Sequence, residues 1–361
     1  MKISSPKLAI LLFCVLAAGV ALGAPARQAA YPDGLYAELQ TNKGTIVLQL
    51  EYEKTPMTVS NFVGLAEGAI ENKALPMGTP YFDGTVFHRV VPGHVIQAGR
   101  PGSPQATETG PGYTFPNEID ASLSHERAGM LGMANGGPHT NSSQFYVTLG
   151  DRSYLDGNYT VFGHVVRGMD VVNSIVQGDV IEKVRIVRAG RAAAAFTANT
   201  ASFQRLAEAA RTRVKEADER KDREETAQIA KQWPNAVTSA KGAQYVVTRE
   251  GSGEAPQTGS TLKVIYTGRF LDGRPFGSSS DAGKPVPGSA AVAFDYTVGT
   301  TRITPALDEA LAAMRKGERR TVIARGALAY GTGGFYGPET PNQKRFVISP
   351  NTTLVYEVEV Q

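Results

Sequence analysis

The sequence predicts a mainly β chain with a few helices, laid out as two domains joined by a helical connector. Three observations carry this. Short runs rich in β-branched and aromatic residues, punctuated by Gly and Pro, recur on both sides of residue 200, which reads as strands and turns. Helical apolar periodicity is confined to a few short stretches. Between Arg191 and Pro234 the composition shifts to alanine and then to charge. At 361 residues the chain has room for two domains of about 100–200 residues each. A hydrophobic content of 42% is enough for packed cores and argues against wholesale disorder. The formal net charge of +3 gives no global electrostatic support for nucleic-acid binding.

The N-terminus is set apart from the fold. Lys2 and Lys7 precede an apolar run from Leu8 to Leu22, and Ala21-Leu22-Gly23 offers small residues ahead of Ala24. Residues 1–23 read as a secretory signal peptide, cut after Gly23. The run of about 15 residues is short of the roughly 20 a spanning helix needs. The expectation is export across the inner membrane to the periplasm, with no membrane attachment after cleavage. Cys14, the one cysteine, lies inside the signal, so no disulfide or thiol chemistry is expected of the mature chain.

The first domain is expected over residues 35–190. Ala37-Glu38-Leu39-Gln40 and Gly44 to Leu50 read as two strands around an Asn42-Lys43-Gly44 turn. A helix follows. Thr55 caps it, Pro56 opens it, Val59, Phe62, Val63 and Ala66 recur at i, i+3, i+4 and i+7, and Gly68 ends it. The stretch Phe87 to Arg100, FHRVVPGHVIQAGR, reads as strand, tight turn at Pro92-Gly93, and strand. Alternation puts Phe87, Arg89 and Val91 on one face and His88 on the other. Arg89 is a permanent charge with a donor fork among apolar neighbours. An arginine salt-bridged at a sheet edge is the plainer explanation, since Arg is rarely buried unless paired. A second helix is expected near Asp170 to Gln177, and the strand Val180 to Val187 closes the domain. The five histidines show no ligand spacing with cysteine or carboxylates, so neither a metal nor a cofactor is expected.

Two further stretches carry a resemblance. Leu131 to Val147 reads LGMANGGPHTNSSQFYV, and Leu155 to Val172 reads LDGNYTVFGHVVRGMDVV. With Phe87-His88-Arg89, Pro92-Gly93 and Gln97, they fall in the order of the cyclophilin family of peptidyl-prolyl cis/trans isomerases, which about Leu35 to Arg188 resembles. The resemblance implies a closed antiparallel β-barrel with two helices. It implies that Arg89 is the catalytic group and Gln97 its polar companion. Ala134 and Asn135 would hydrogen-bond the substrate backbone. Val95, Gln144, Tyr146 and Leu155 would line the proline pocket, with His94 in its wall. A strict two-residue hairpin would not bring Arg89 and Gln97 to one face, so their convergence rests on the resemblance alone. The chain departs from the family's usual residues at His94 (phenylalanine), Val95 (methionine), Tyr146 (phenylalanine) and Ala98 (glycine). Tyr154 and Tyr159 stand at rim positions where animal members have tryptophan and histidine, which implies weak cyclosporin binding. His94 puts a polar ring, able to charge near pH ~6.5, into the pocket wall. Reduced activity is expected, falling further at acid pH.

The connector, residues 191–234, places Phe203, Leu206, Ala207, Ala210, Val214 and Ala217 on one stripe. Asp218 to Glu225 is nearly all charged, and Glu216–Arg220 and Glu219–Arg223 are favourable i,i+4 pairs. A helix of about 30 residues would end before Pro234 and span roughly 45 Å. It reads as a solvated spacer. The alternative is a helix packed on a domain or paired with its twin in a dimer.

The second domain is expected over residues 235–361. Gln244 to Arg249, Thr261 to Phe270 and Thr353 to Val360 read as strands. One helix sits among them, capped by Thr304, opened by Pro305, with Leu307, Ala310, Leu311 and Met314 buried. A curled antiparallel sheet around one helix is the natural packing. Val264-Ile265-Tyr266-Thr267-Gly268, Asp272-Gly273 to Phe276, Ala329-Tyr330-Gly331 and Thr353-Leu354-Val355-Tyr356 resemble the FKBP family of macrolide-binding prolyl isomerases. The resemblance implies a pocket of Tyr266, Phe276, Phe294, Ile303, Thr304, Tyr330, Ile348 and Tyr356, floored by Leu307. Some of these are ordinary core as readily as pocket, Phe294 and Tyr356 above all. Gly277 replaces the family's aspartate, Leu307 the tryptophan of many members, and Phe335 to Phe346 is a longer rim loop. Macrolide ligands are the implied small-molecule partners.

Together the resemblances imply a fusion of two prolyl isomerase domains acting on X-Pro bonds of unfolded, exported polypeptides. The X-Pro bond has two forms of similar energy behind a barrier of about 18–20 kcal/mol. The alternative is a non-catalytic holdase that uses both pockets to bind proline-containing segments.

Overall fold

The structure, a computed structural model, describes residues 31–101, 110–281, 286, 288–336 and 346–361. The expected signal peptide and most of the Phe335-to-Phe346 loop lie outside the described residues.

The first domain runs β1 (Gly34–Thr41), β2 (Gly44–Leu50), α1 (Pro56–Ala66), β3 (Thr85–Val86), β4 (Arg89–Val91), β5 (Val95–Ala98), β6 (Met130–Met133), β7 (Phe145–Thr148), β8 (Val161–Arg167), α2 (Met169–Ser174) and β9 (Val180–Ala189). The nine strands form one antiparallel sheet in the order β3-β9-β1-β2-β8-β6-β7-β5-β4. Its end strands β3 and β4 are separated in the chain only by Phe87 and His88, so the sheet must curl until its two ends meet. Alternation sends Ile96, Ala98, Leu131, Met133, Phe145 and Val147 inward to a core shared with Phe62 and Phe82. Thr55 does not cap α1 as expected. Its hydroxyl donates back to Glu51 O at 3.0 Å. Instead Glu118, from a distant loop, accepts the N–H groups of Met57 and Thr58 at 3.1 and 2.8 Å, a carboxylate placed where the helix dipole favours it.

The connector is not a solvated spacer. After α3 (Gly190–Ala195), α4 (Thr200–Gln232) opens with a capping box between Asn199 and Ser202. Phe203, Ala207 and Ala210 are buried in the first domain's core, so the expected boundary at 190 cuts through that core. Near its other end Ile229 packs with Ile323 and Val355 of the second domain, flanked by Trp233. Arg325 donates to the Asp222 carbonyl and the Thr226 hydroxyl, and Thr353 to Glu225 at 2.6 Å. The first half of the stripe, Phe203 to Ala210, is thus spent inside the chain, while Val214 is half-buried and Ala217 exposed. Along the exposed middle the i,i+4 contacts are Lys215–Glu219 at 4.0 Å and Lys221–Glu225 at 3.8 Å, the less favourable order.

The second domain comprises β10 (Val237–Thr238), β11 (Gln244–Arg249), β12 (Thr261–Phe270), β13 (Pro275–Ser278), β14 (Phe294–Thr297), α5 (Pro305–Leu311), β15 (Arg319–Ala324), β16 (Phe335–Tyr336), β17 (Phe346–Ile348) and β18 (Leu354–Val360). Its main sheet runs β10-β11-β15-β18-β12-β13, with β14 pairing the first half of β12. Leu307, Ala310, Leu311 and Met314 of the α5 region bury against it.

Candidate functional site

The first candidate site is a row of side chains running across four neighbouring strands. Arg89 of β4 lies opposite Gln97 of β5, Gln97 opposite Tyr146 of β7, and Tyr146 opposite Gly132 of β6. Directly opposed residues point to the same face, and this face is turned away from the core. The register follows from the turn. Pro92, Gly93 and His94 make a three-residue connection in which Gly93 takes φ +68° and His94 N–H donates to Val91 O at 2.9 Å. A two-residue turn would have shifted the pairing by one residue and faced Gln97 away from Arg89.

Arg89 Nη1 lies 3.5 Å from Gln97 Oε1, a hydrogen bond at the limit of reach. Gln144 Oε1 accepts from Gln97 Nε2 at 3.0 Å, which turns the Gln97 oxygen towards the guanidinium. Arg89 is not salt-bridged at the sheet edge: among the described residues no carboxylate pairs with it, and its fork opens onto a cavity. That cavity, of about 220 Å³, is lined by Arg89, His94, Val95, Gln97, Ala134, Asn135, Tyr146, Leu155 and Tyr159. Val95, Tyr146, Leu155 and Tyr159 are buried there as an apolar cluster separate from the main core, flanked by Ala134 and Tyr154. Gln144 braces Gln97 and does not line the cavity. The Asn135 side chain is spent on Asn158 O at 3.0 Å and on Gly137 N–H at 3.2 Å. What Asn135 offers a ligand is therefore its backbone.

His94 stands in the cavity wall with both ring nitrogens engaged. Nδ1 accepts from Arg152 Nε at 3.0 Å, and Nε2 lies 3.3 Å from Tyr154 Oη. An acceptor Nδ1 means the ring proton sits on Nε2. On the opposite face, His88 has both ring nitrogens buried with no hydrogen bond of good geometry among the described residues, although Gln144 and the Val86 backbone stand beside them. Burial, with Arg100 next in weight, holds it below the usual imidazole range.

The second candidate site is aromatic. Tyr266 meets Phe294 and Tyr356 edge-on, with centroids 6.2 and 5.9 Å apart, and Phe276 meets Tyr356 edge-on at 5.6 Å. Tyr266, Phe276, Thr304, Leu307, Ile348 and Tyr356 are buried, while Phe294, Ile303 and Tyr330 are half-buried. Phe294 is thus an edge residue and not ordinary core. The Thr304 hydroxyl caps α5, accepting from Leu307 N–H at 3.5 Å, so its side chain serves the helix. Asp308 accepts from Tyr296 Oη and from Ile303 N–H, both at 3.1 Å, and burial raises its carboxyl above the usual range. It fixes the Ile303–Thr304 backbone beside the pocket.

Residues 36–191 match the family model for cyclophilin type peptidyl-prolyl cis-trans isomerases. A curated relative, Peptidyl-prolyl cis-trans isomerase ppi1 of Schizosaccharomyces pombe, is 42% identical over 164 residues, covering 42% of this chain and 96% of that protein. The chain belongs to the cyclophilin type peptidyl-prolyl cis-trans isomerase family. The Probable peptidyl-prolyl cis-trans isomerase A of Mycobacterium bovis is also 42% identical, over 134 residues that cover 36% of this chain and 72% of the relative. A solved cyclophilin type peptidyl-prolyl cis-trans isomerase from Cryptosporidium parvum is 26% identical with a TM-score of 0.36, over 43% of this chain and 98% of that one. Residues 252–361 match the FKBP-type peptidyl-prolyl cis-trans isomerase family model, so an FKBP-type domain follows the cyclophilin domain.

In the cyclophilin domain the sequence reading put Tyr159 at the rim, whereas it lines the cavity, and it missed Arg152 behind His94 and His125 behind Tyr146. Arg152 and His125 contact site residues far off in the chain, and no local pattern announces them. Asp308 in the FKBP-type domain had a fainter signal, an acid in the first turn of a Thr-Pro-capped helix.

Proposed function

We propose that the chain isomerises X-Pro peptide bonds of unfolded, exported polypeptides, with the catalytic work at the cyclophilin site. Twisting the amide out of plane breaks its resonance and makes the prolyl nitrogen a better acceptor. A donor fixed where that lone pair develops stabilises the twisted state more than either planar form. Arg89 is that donor. The single observation that carries the reading is the row Arg89–Gln97–Tyr146, which sets a guanidinium with no carboxylate partner among the described residues at the lip of an apolar cavity. The proline ring sits against Val95, Tyr146, Leu155 and Tyr159, and the substrate backbone runs past Ala134 and Asn135. Residues 1–23 direct export to the periplasm. The FKBP-type domain is read as a proline-peptide binding module. Gly277 and Leu307 favour this, because they stand where the family has an aspartate and, in many members, a tryptophan.

The test is cis-to-trans relaxation of X-Pro peptides with residues 31–214, a fragment that keeps Phe203, Ala207 and Ala210 in the core. Arg89→Ala is expected to lower kcat/KM by about 10²–10³, as loss of one preorganised donor does. Equal rates for the two forms would sink the assignment of Arg89. Suppression of client aggregation without any catalysed relaxation would make the chain a holdase.

A further inference from the structure

The cyclophilin cavity has a built back wall. Tyr146 Oη lies 2.8 Å from His125 Nε2, and His125 Nδ1 lies 2.6 Å from Asp156 Oδ1. Asp156 is itself anchored, accepting from the His125 backbone N–H at 2.9 Å and the Ser124 hydroxyl at 2.7 Å. His125 is fully buried, and burial keeps it below the usual imidazole range, hence neutral. The carboxylate at Nδ1 draws the ring proton there, which leaves Nε2 to accept from the phenol. The other side of the Tyr146 ring rests on Gly132, its cross-strand partner. A Cβ at Gly132 would stand 2.4 Å from Tyr146 Oη and closer still to Cζ, so any other residue there would evict the ring.

We propose that Gly132, His125 and Asp156 are positioning residues that seat the Tyr146 ring against the sheet and so hold the proline pocket open. Tyr146 is one wall of a cavity of about 220 Å³. A phenol that loses its tether or its seat rotates about χ1, and the nearest free volume is the space the proline ring is to occupy. A phenylalanine would fit the seat but lack the tether. The hydroxyl converts a mobile wall into a fixed one, and its effect falls on peptide binding. The inference rests on the reading of this cavity as the proline pocket.

The test uses the full chain and a proline-containing peptide titrated by NMR, with Kd read from amide shifts of Val95 to Ala98, which report on this site alone. Tyr146→Phe is expected to weaken binding about five-fold, the weight of one neutral hydrogen bond. His125→Leu should weaken it similarly, and the double variant no further, since both remove one shared interaction. His125→Gln, whose amide oxygen can still accept from the phenol, should restore most of the affinity, a rescue that a merely structural role would not produce. Gly132→Ala should weaken binding more than Tyr146→Phe. If wild type binds the peptide and Tyr146→Phe binds it equally well, or if the losses add in the double variant, the tether has no such role. Tyr146→Phe removes a single atom, so the comparison stands even where His125→Leu fails to fold. If wild type itself shows no shifts at Val95 to Ala98, the reading of the site fails first.

Discussion

Replacing Phe203 by alanine asks whether α4 belongs to the cyclophilin domain's core. Phe203 is 4% exposed and meets Phe115 edge-on at 5.6 Å and Tyr113 at 5.3 Å. A buried phenylalanine removes about 150–250 Å² from water. At about 25 cal/mol per Å² that is about 4–6 kcal/mol, an upper figure because denatured chains already bury some surface. Measured Phe→Ala losses in cores of about 3–5 kcal/mol agree. For a domain of this size each kcal/mol moves Tm by about 2–4 °C, so the first transition should fall by about 6–20 °C. On a solvated helix the sign reverses, since alanine is the better helix former by up to about 0.7 kcal/mol. The assay is thermal and guanidinium unfolding of the full chain, with circular dichroism for the cyclophilin domain. Trp233, the chain's one tryptophan, reports on the contact of α4 with the FKBP-type domain. A first transition that stays put or rises would refute the docking of α4.

Ile229→Ala should lower the FKBP-type domain's transition by about 2–5 kcal/mol and shift Trp233 fluorescence at lower denaturant, leaving the first transition in place. Burial holds His88, His125 and His164 below their ordinary values. Folded, they bind fewer protons than unfolded, so their contribution is complete above about pH 6.5 and is lost as pH falls towards the lowered folded values. The urea midpoint of the cyclophilin domain should therefore drop between pH 7.5 and 5; a flat profile would contradict it. Tyr356 Oη is buried and makes no hydrogen bond of good geometry among the described residues, although the Thr304 side chain stands beside it. Tyr356→Phe should therefore be neutral or stabilising by about 1 kcal/mol, and a loss of that size in denaturant melts would show a partner.

Much of the fold was legible because its signals are local. Val59, Phe62, Val63 and Ala66 mark α1, Thr304-Pro305 marks the start of α5, and the β-branched runs mark their strands. What failed to read were quantities set by partners far off in sequence. The Arg89–Gln97 register turns on whether the hairpin loop holds two residues or three, and Pro92-Gly93 permits either. The connector's charged middle suggested solvent along its whole length. Yet Phe203 and Ile229, one bulky apolar residue near each end, were the visible sign that both ends dock. Thr55 looked like a cap, but Glu118, more than 60 positions away, takes its N–H partners. His125 stood alone in the sequence. The visible hint was the pairing of Tyr146, unusual for the family, with a glycine at 132 that has room for it.

The weakness of Arg89's own hydrogen bond is what suits it to the proposed role. A guanidinium bound in full to a carboxylate would have its donors satisfied and its field cancelled, and would offer a prolyl nitrogen little. At 3.5 Å from Gln97 it is steered by a neutral amide and not neutralised by it. The amide is held in turn by Gln144, so orientation is supplied without charge. Among the described residues the FKBP-type pocket holds no such cation. Thr304 and Asp308 are engaged in holding α5 and the backbone before it, and the other polar groups of the described pocket are the phenols of Tyr266, Tyr330 and Tyr356. On the proposed reading the cyclophilin site meets the resonance barrier with a fixed charge, whereas the FKBP-type domain offers a largely aromatic enclosure suited to holding a proline segment.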